Sequence, residues 1–117
     1  MRDLPGSGAV ETSATVVTGA AGDIEQGAAV HLEFGLEGDR VDEARFRAFG
    51  CPHFIAAASW LTERLRGCRR TELEQWDWRE AAAALDVPPA KFGRLLTLQD
   101  AVRDAARNWA GLPQSTV

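Results

Sequence analysis

The sequence predicts an α+β domain: a small antiparallel three-stranded sheet packed against C-terminal helices. Three observations carry this. Residues 28–36 and 40–50 alternate apolar and polar positions, the period of half-buried strands. After Cys51 the apolar spacing changes to that of helices. The strands precede the helices instead of alternating with them, which places the helices on one face of the sheet. At 117 residues the chain is one domain, long enough to form a core without disulfide staples.

Each element follows in order. Residues 1–13 are rich in Gly, Pro and Ser and read as a flexible N-terminal arm, with a single domain over 14–117. "ATVVT" (14–18) is a β-branched run and an edge strand. "GAAGDIEQG" (19–27) has three glycines and an aspartate and reads as a loop. In "AAVHLEFGL" (28–36), Val30, Leu32, Phe34 and Leu36 share one face, with His31 and Glu33 on the other. "EGDR" supplies the turn. In 40–50, Ala44, Phe46 and Ala48 oppose Arg45, Arg47 and Phe49, completing an antiparallel meander. Phe54, Ala58, Leu61 and Leu65 then repeat at helical spacing, and Gly67 is a stop. A short helix is expected over 77–85. Pro88 and Pro89 interrupt the chain and open a last helix. Its stripe is Leu95, Leu98, Val102, Ala105, Ala106 and Trp109, ended by Gly111.

Composition narrows the function classes. A net charge of −4 argues against a broad nucleic-acid footprint. No apolar run approaches the roughly 20 residues of a membrane span. The N-terminus lacks the apolar centre of a signal peptide, so the cytoplasm is the expected location. Two cysteines there are expected to be thiols. Cys51 and Cys68 bracket the helix over about 53–66, which separates them by roughly 20 Å and excludes an intramolecular bridge. Trp60, Trp76, Trp78 and Trp109 read as packing anchors; an exposed one would mark a partner surface. "RLRGCRR" (64–70) reads as a solvated basic helix end.

The chemistry centres on Cys51. It follows a strand and Gly50 and precedes a helix, where the helix N-terminus favours a thiolate. Its plainer account is a small buried residue. His53 is either a ligand beside Cys51 or a solvated capping residue. Asp23 is either a site residue or a turn residue. His31 is expected to point outward.

"ARFRAFGC" followed by "IAAASWLTERLRG" resembles the U-type iron–sulfur cluster assembly scaffolds, IscU and the N-terminal domain of NifU. "VPPAK" (87–91) resembles that family's Leu-Pro-Pro-Val-Lys segment, and "GAAGD" (19–23) its first ligand loop. The resemblance spans about residues 15–108 and implies an α+β scaffold that builds a [2Fe–2S] cluster from iron and desulfurase-derived sulfur. It implies that Cys51 and Asp23 occupy cluster or metal positions, with Lys91 near the site. The other family ligands fall on Ala21, Gly93 and Arg94, so two of three cysteines and the histidine are missing. A cluster of this kind wants four strong ligands, and Cys51, Asp23 and His53 fall short of that.

Three functions are left open. In the first, the chain serves iron–sulfur cluster assembly as a scaffold-like, non-enzymatic protein with Cys51 handling sulfur or iron, its iron or cluster weakly held or absent. In the second, it is a degenerate scaffold acting as an adaptor for a cysteine desulfurase or another assembly partner, or for a chaperone through Val87–Lys91. In the third, it is a small enzyme using a Cys51 thiolate. Arg94 is either an outward, solvated arginine or a cation at the site mouth, able to pair with Asp23 and to favour the Cys51 thiolate.

Overall fold

The computed structural model describes residues 15–112. Three strands, β1 (Thr15–Asp23), β2 (Ala28–Glu37) and β3 (Arg40–Phe49), form an antiparallel sheet in the order β1-β2-β3. Four α-helices follow: α1 (Pro52–Arg64), α2 (Arg70–Gln75), α3 (Trp78–Leu85) and α4 (Phe92–Ala110). The expected arm over 1–13 and residue 14 lie outside the described residues. None of the described helices is long and apolar enough to cross a membrane.

The alternation in β2 sets the core. Val30, Leu32, Phe34 and Leu36 are buried. They pack with Val17 of β1, with Phe54, Ala57, Ala58 and Leu61 of α1, and with Leu95, Leu98, Val102 and Ala105 of α4. The register places Val17 opposite Phe34 and Phe34 opposite Ala44. A shift between Gly35 and Leu36 adds one residue to β3, a bulge near the hairpin. Trp76 and Trp109 are buried, whereas Trp60 and Trp78 are half-buried. Trp60 packs near Trp76, with ring centroids 6.5 Å apart.

The stretch 19–23, expected to be loop, continues β1 instead. The reason is a close crossing. A Cβ on Gly19 would lie 2.1 Å from the Ala101 carbonyl oxygen and 2.5 Å from the Ala105 nitrogen of α4. The glycine is therefore a contact point between strand and helix, not a break. Only residues 24–27 leave the strands, as one 3-10 turn over 24–26 with Gly27 as its left-handed cap.

The helical half differs in two places. The short helix starts at Trp78, with Asp77 as its N-cap accepting the Arg79 N–H at 2.8 Å. α2 was not expected. It has a single buried apolar residue, Leu73, so it shows no periodicity. An i,i+4 pair of Arg70 with Glu74 supports it.

The two sheet edges are finished differently. Along β1, the Ala20 N–H donates to Asp104 of α4 at 3.0 Å, and the Asn108 amide donates to the Thr18 carbonyl at 2.6 Å. Along β3, the chain at 67–69 meets only the start of the strand among the described residues: Gly67 and Cys68 bond Val41 at 2.8 Å each, and Arg69 bridges Arg40. Among the described residues, no bond covers the outer side of β3 from Ala44 to Ala48.

Candidate functional site

Cys51 is the N-cap of α1, with extended backbone angles that end the strand side and start the helix. Its carbonyl accepts the Phe54 N–H at 2.9 Å and the Ile55 N–H at 3.1 Å. Pro52 fits the first helical position, where no N–H is needed. Gly50 makes the approach possible: a Cβ there would lie 2.8 Å from a Phe54 ring carbon and 3.3 Å from the Gly27 carbonyl oxygen. The turn that ends β1 and the junction that ends β3 are thus in contact.

That junction gathers charge. Lys91 places its Nζ 3.8 Å from the Cys51 sulfur. Arg94, in the first turn of α4, donates to the Gln26 carbonyl at 3.4 Å. Its guanidinium lies 3.4 Å from where a Cβ on Gly27 would stand. The Cys51 thiol is held below its ordinary range. The Phe54 backbone N–H is the leading cause; partial burial opposes it, and the His53 N–H, Lys91 and Arg94 add to the lowering. The N–H dipoles act through space, since no bond of capping geometry reaches the sulfur. Cys68 is the contrast. It is a free thiol buried beneath Arg64, and burial followed by Glu72 pushes its pKa up.

The remaining candidates divide. Asp23 pairs opposite Ala28, and Ala29 pairs opposite Phe49, so Asp23 and Cys51 lie at the same end of the sheet. The exposed Asp23 carboxylate accepts the Glu25 N–H at 2.9 Å and caps its own turn. Of the two readings of Arg94 left open, solvated or paired with Asp23, neither is found; the guanidinium is half-buried and meets the Gln26 carbonyl. The turn folds back on itself through the Asp23 cap, and that turns a carbonyl, not the carboxylate, toward α4. His53 is exposed on the first turn of α1. His31 is half-buried opposite Arg47, away from the core face. Ala21 is half-buried in β1, and Gly93 is exposed with nothing within 4 Å of a Cβ built on it.

Among the described residues, no group of three or more His, Cys, Asp or Glu side chains could hold a metal ion. The site offers one thiol with two cations beside it, which does not fit a four-ligand iron or cluster site. Its chemistry suits a nucleophilic, anion-bearing sulfur.

Sequence reasoning missed the apolar rim. Ile24, Phe49 and Ile55 are 63%, 50% and 40% exposed, on three elements that meet at the Cys51 junction. A shallow depression lined by Ala20, Gly22, Ile24, Ala29, Arg47 and Phe49 joins the first two; Cys51, Lys91 and Arg94 do not line it. The available signal was Phe49, an aromatic in phase with Arg45 and Arg47 on the outer face. A cleft of about 330 Å³ between β3 and α1, lined by His31, Glu33, Arg45, Ser59 and Thr62, is not lined by Cys51.

The NifU-like N-terminal domain family matches residues 5–115. The chain is similar to the iron-sulfur cluster assembly protein IscU of Plasmodium falciparum, 33% identical over 92 residues, covering 79% of this chain and 57% of that protein. It is similar to the nitrogen fixation protein NifU of Trichormus azollae, 33% identical over 109 residues, covering 91% of this chain and 36% of that protein. The chain thus spans little more than half of one relative and about a third of the other. Its fold is similar to a protein from Fervidobacterium islandicum described as a cluster assembly scaffold for the SUF system, with a TM-score of 0.62 and 17% identity over 83% of each chain.

Proposed function

The chain belongs to the NifU-like N-terminal domain family, and from that premise we propose that it serves iron–sulfur cluster assembly as a scaffold-like protein whose Cys51 accepts sulfur. The observation that carries this is the Cys51 environment: a thiol at a helix N-terminus, lowered in pKa, with Lys91 3.8 Å from its sulfur. In this reading iron and cluster are cargo. A complete cluster would need ligands from a second protomer or a partner, because the positions that resemble the family ligands hold Ala21, Gly93 and Arg94.

The partner is a cysteine desulfurase, docking on the apolar rim of Ile24, Phe49 and Ile55. The exposed Pro88, Pro89 and Ala90 leave the segment before α4 open to a second partner such as a chaperone. Asp23 acts by capping the adjoining turn, and His53 stays in solvent. No step requires the chain to be an enzyme.

The test is sulfur transfer from a desulfurase supplied with cysteine, read by mass spectrometry of the intact chain. The expected result is one added sulfur atom, localised to Cys51 and lost in Cys51→Ser. Sulfur found on Cys68 instead, or on neither residue, would overturn the reading.

A further inference from the structure

The two cations beside Cys51 carry an inference that rests on the sulfur-acceptor reading. Lys91 and Arg94 enter the site from one element boundary, the turn that opens α4. Only the Lys91 ammonium is within reach of the Cys51 sulfur, at 3.8 Å. Among the described residues Arg94 makes one polar contact, with the Gln26 carbonyl at 3.4 Å. A carbonyl oxygen carries a partial charge and leaves the guanidinium uncompensated. Neither cation is ion-paired among the described residues, whereas Arg64, Arg66, Arg70, Arg79 and Arg107 each are. The acids of the adjoining turn, Asp23 and Glu25, make no ion pair with either one. Both cations are half-buried, so salt and solvent screen them less than they screen an open surface charge.

We propose that Lys91 and Arg94 divide the recognition of an anionic sulfur chain between them, Lys91 neutralising the Cys51 sulfur and Arg94 a negative charge one atom further out. The chemistry supplies the reason for two cations. The Cys51 thiolate attacks the terminal sulfur of a donor persulfide, R–S–SH. A bond forms between the Cys51 sulfur and that terminal sulfur. The donor S–S bond breaks, and its electron pair leaves on the donor thiolate. The transferred sulfur loses its proton to solvent and becomes Cys51–S–S⁻. The negative charge that began on the Cys51 sulfur therefore ends about 2 Å beyond it, one S–S bond length away. A single lysine at the inner sulfur serves the first state better than the last, and the second cation serves the last. The same arrangement disfavours a metal cation at this place.

The two roles are separable by alkylation, without any sulfur transfer. Iodoacetamide is neutral and reports the thiolate alone; iodoacetate also sets a carboxylate just beyond the sulfur. Site-resolved labelling at low ionic strength is followed in the unmodified protein, Lys91→Gln and Arg94→Gln. The expected result is that Arg94→Gln slows iodoacetate at Cys51 by about threefold or more while iodoacetamide is little changed. Lys91→Gln slows both reagents. In the unmodified protein, added salt lowers the iodoacetate rate more than the iodoacetamide rate, a check that needs no variant. If Arg94→Gln moves both rates equally or neither, or if salt fails to separate the reagents, the division of roles is wrong. If selectivity is present and sulfur transfer to Cys51 is absent, the anion receptor stands and the assembly role falls.

Discussion

At the scale of single residues, the two thiols are set apart by the helix ends that hold them. Cys51 stands at the start of α1 with backbone N–H groups and two cations around it, and its pKa is lowered. Cys68 lies past the end of the same helix, buried, and its pKa is raised. The lowered group holds its charge at a lower pH, so Cys51 labelling by iodoacetamide should remain fast below the ordinary thiol range. Cys68 should label only at more alkaline pH or on unfolding. Site-resolved labelling from pH 6 to 10 checks this; coincident pH profiles would contradict the assigned environments. Cys51 stabilises the fold as pH rises above the unfolded thiol pKa, and this is lost as pH falls through its lowered folded value. Cys68 works the other way, since the unfolded thiol ionises first and stability falls as pH rises. The Cys51 position was legible because strand, Gly50 and helix are consecutive. The bond from Arg94 to Gln26 was not, because it joins residues 68 apart in sequence.

At the scale of elements, β1 and α4 depend on one glycine. Gly19→Ala places a Cβ against the Ala101 carbonyl and must push the helix away from the strand. We expect a loss of about 3 kcal/mol or more, measured by chemical denaturation; a loss under about 1 kcal/mol would mean that the crossing is not close. Gly93 is the opposite case. It sits in the first turn of α4 with nothing near an added Cβ, so Gly93→Ala should leave stability unchanged or raise it by up to about 1 kcal/mol. Asp77→Ala removes the α3 cap and should cost about 1 kcal/mol. The strands of the meander were legible from period two, and α4 from its apolar stripe. The extension of β1 was not: "GAAG" has turn composition, and only the helix lying across it keeps it extended. α2 escaped because six residues with one buried side chain carry no period.

For the whole molecule, strand-then-helix order was enough to place the helices against one face of the sheet, and that brings the ends of β1 and β3 together with the start of α4. Family resemblance implied ligand positions at Ala21, Gly93 and Arg94, but not the apolar rim, which arises from three separate elements. If Arg94 and Ala21 stand where ligands would otherwise be, Ala21→Cys with Arg94→Cys should bind more iron on reconstitution than the unmodified chain. Iron analysis and the visible spectrum check this, and equal uptake by both would count against the assigned positions. The two edges of the sheet carry a last consequence. α4 closes β1 with Asp104 and Asn108, and among the described residues no backbone bond covers β3 from Ala44 to Ala48, so another strand could add there. A second copy pairing there antiparallel about Phe46 would set Arg45 against Arg47 of that copy, and like charges so opposed are unfavourable. The open edge therefore discriminates against its own kind: concentrated protein should stay dispersed at low salt, and replacing both arginines with threonine should start the slow growth of fibres.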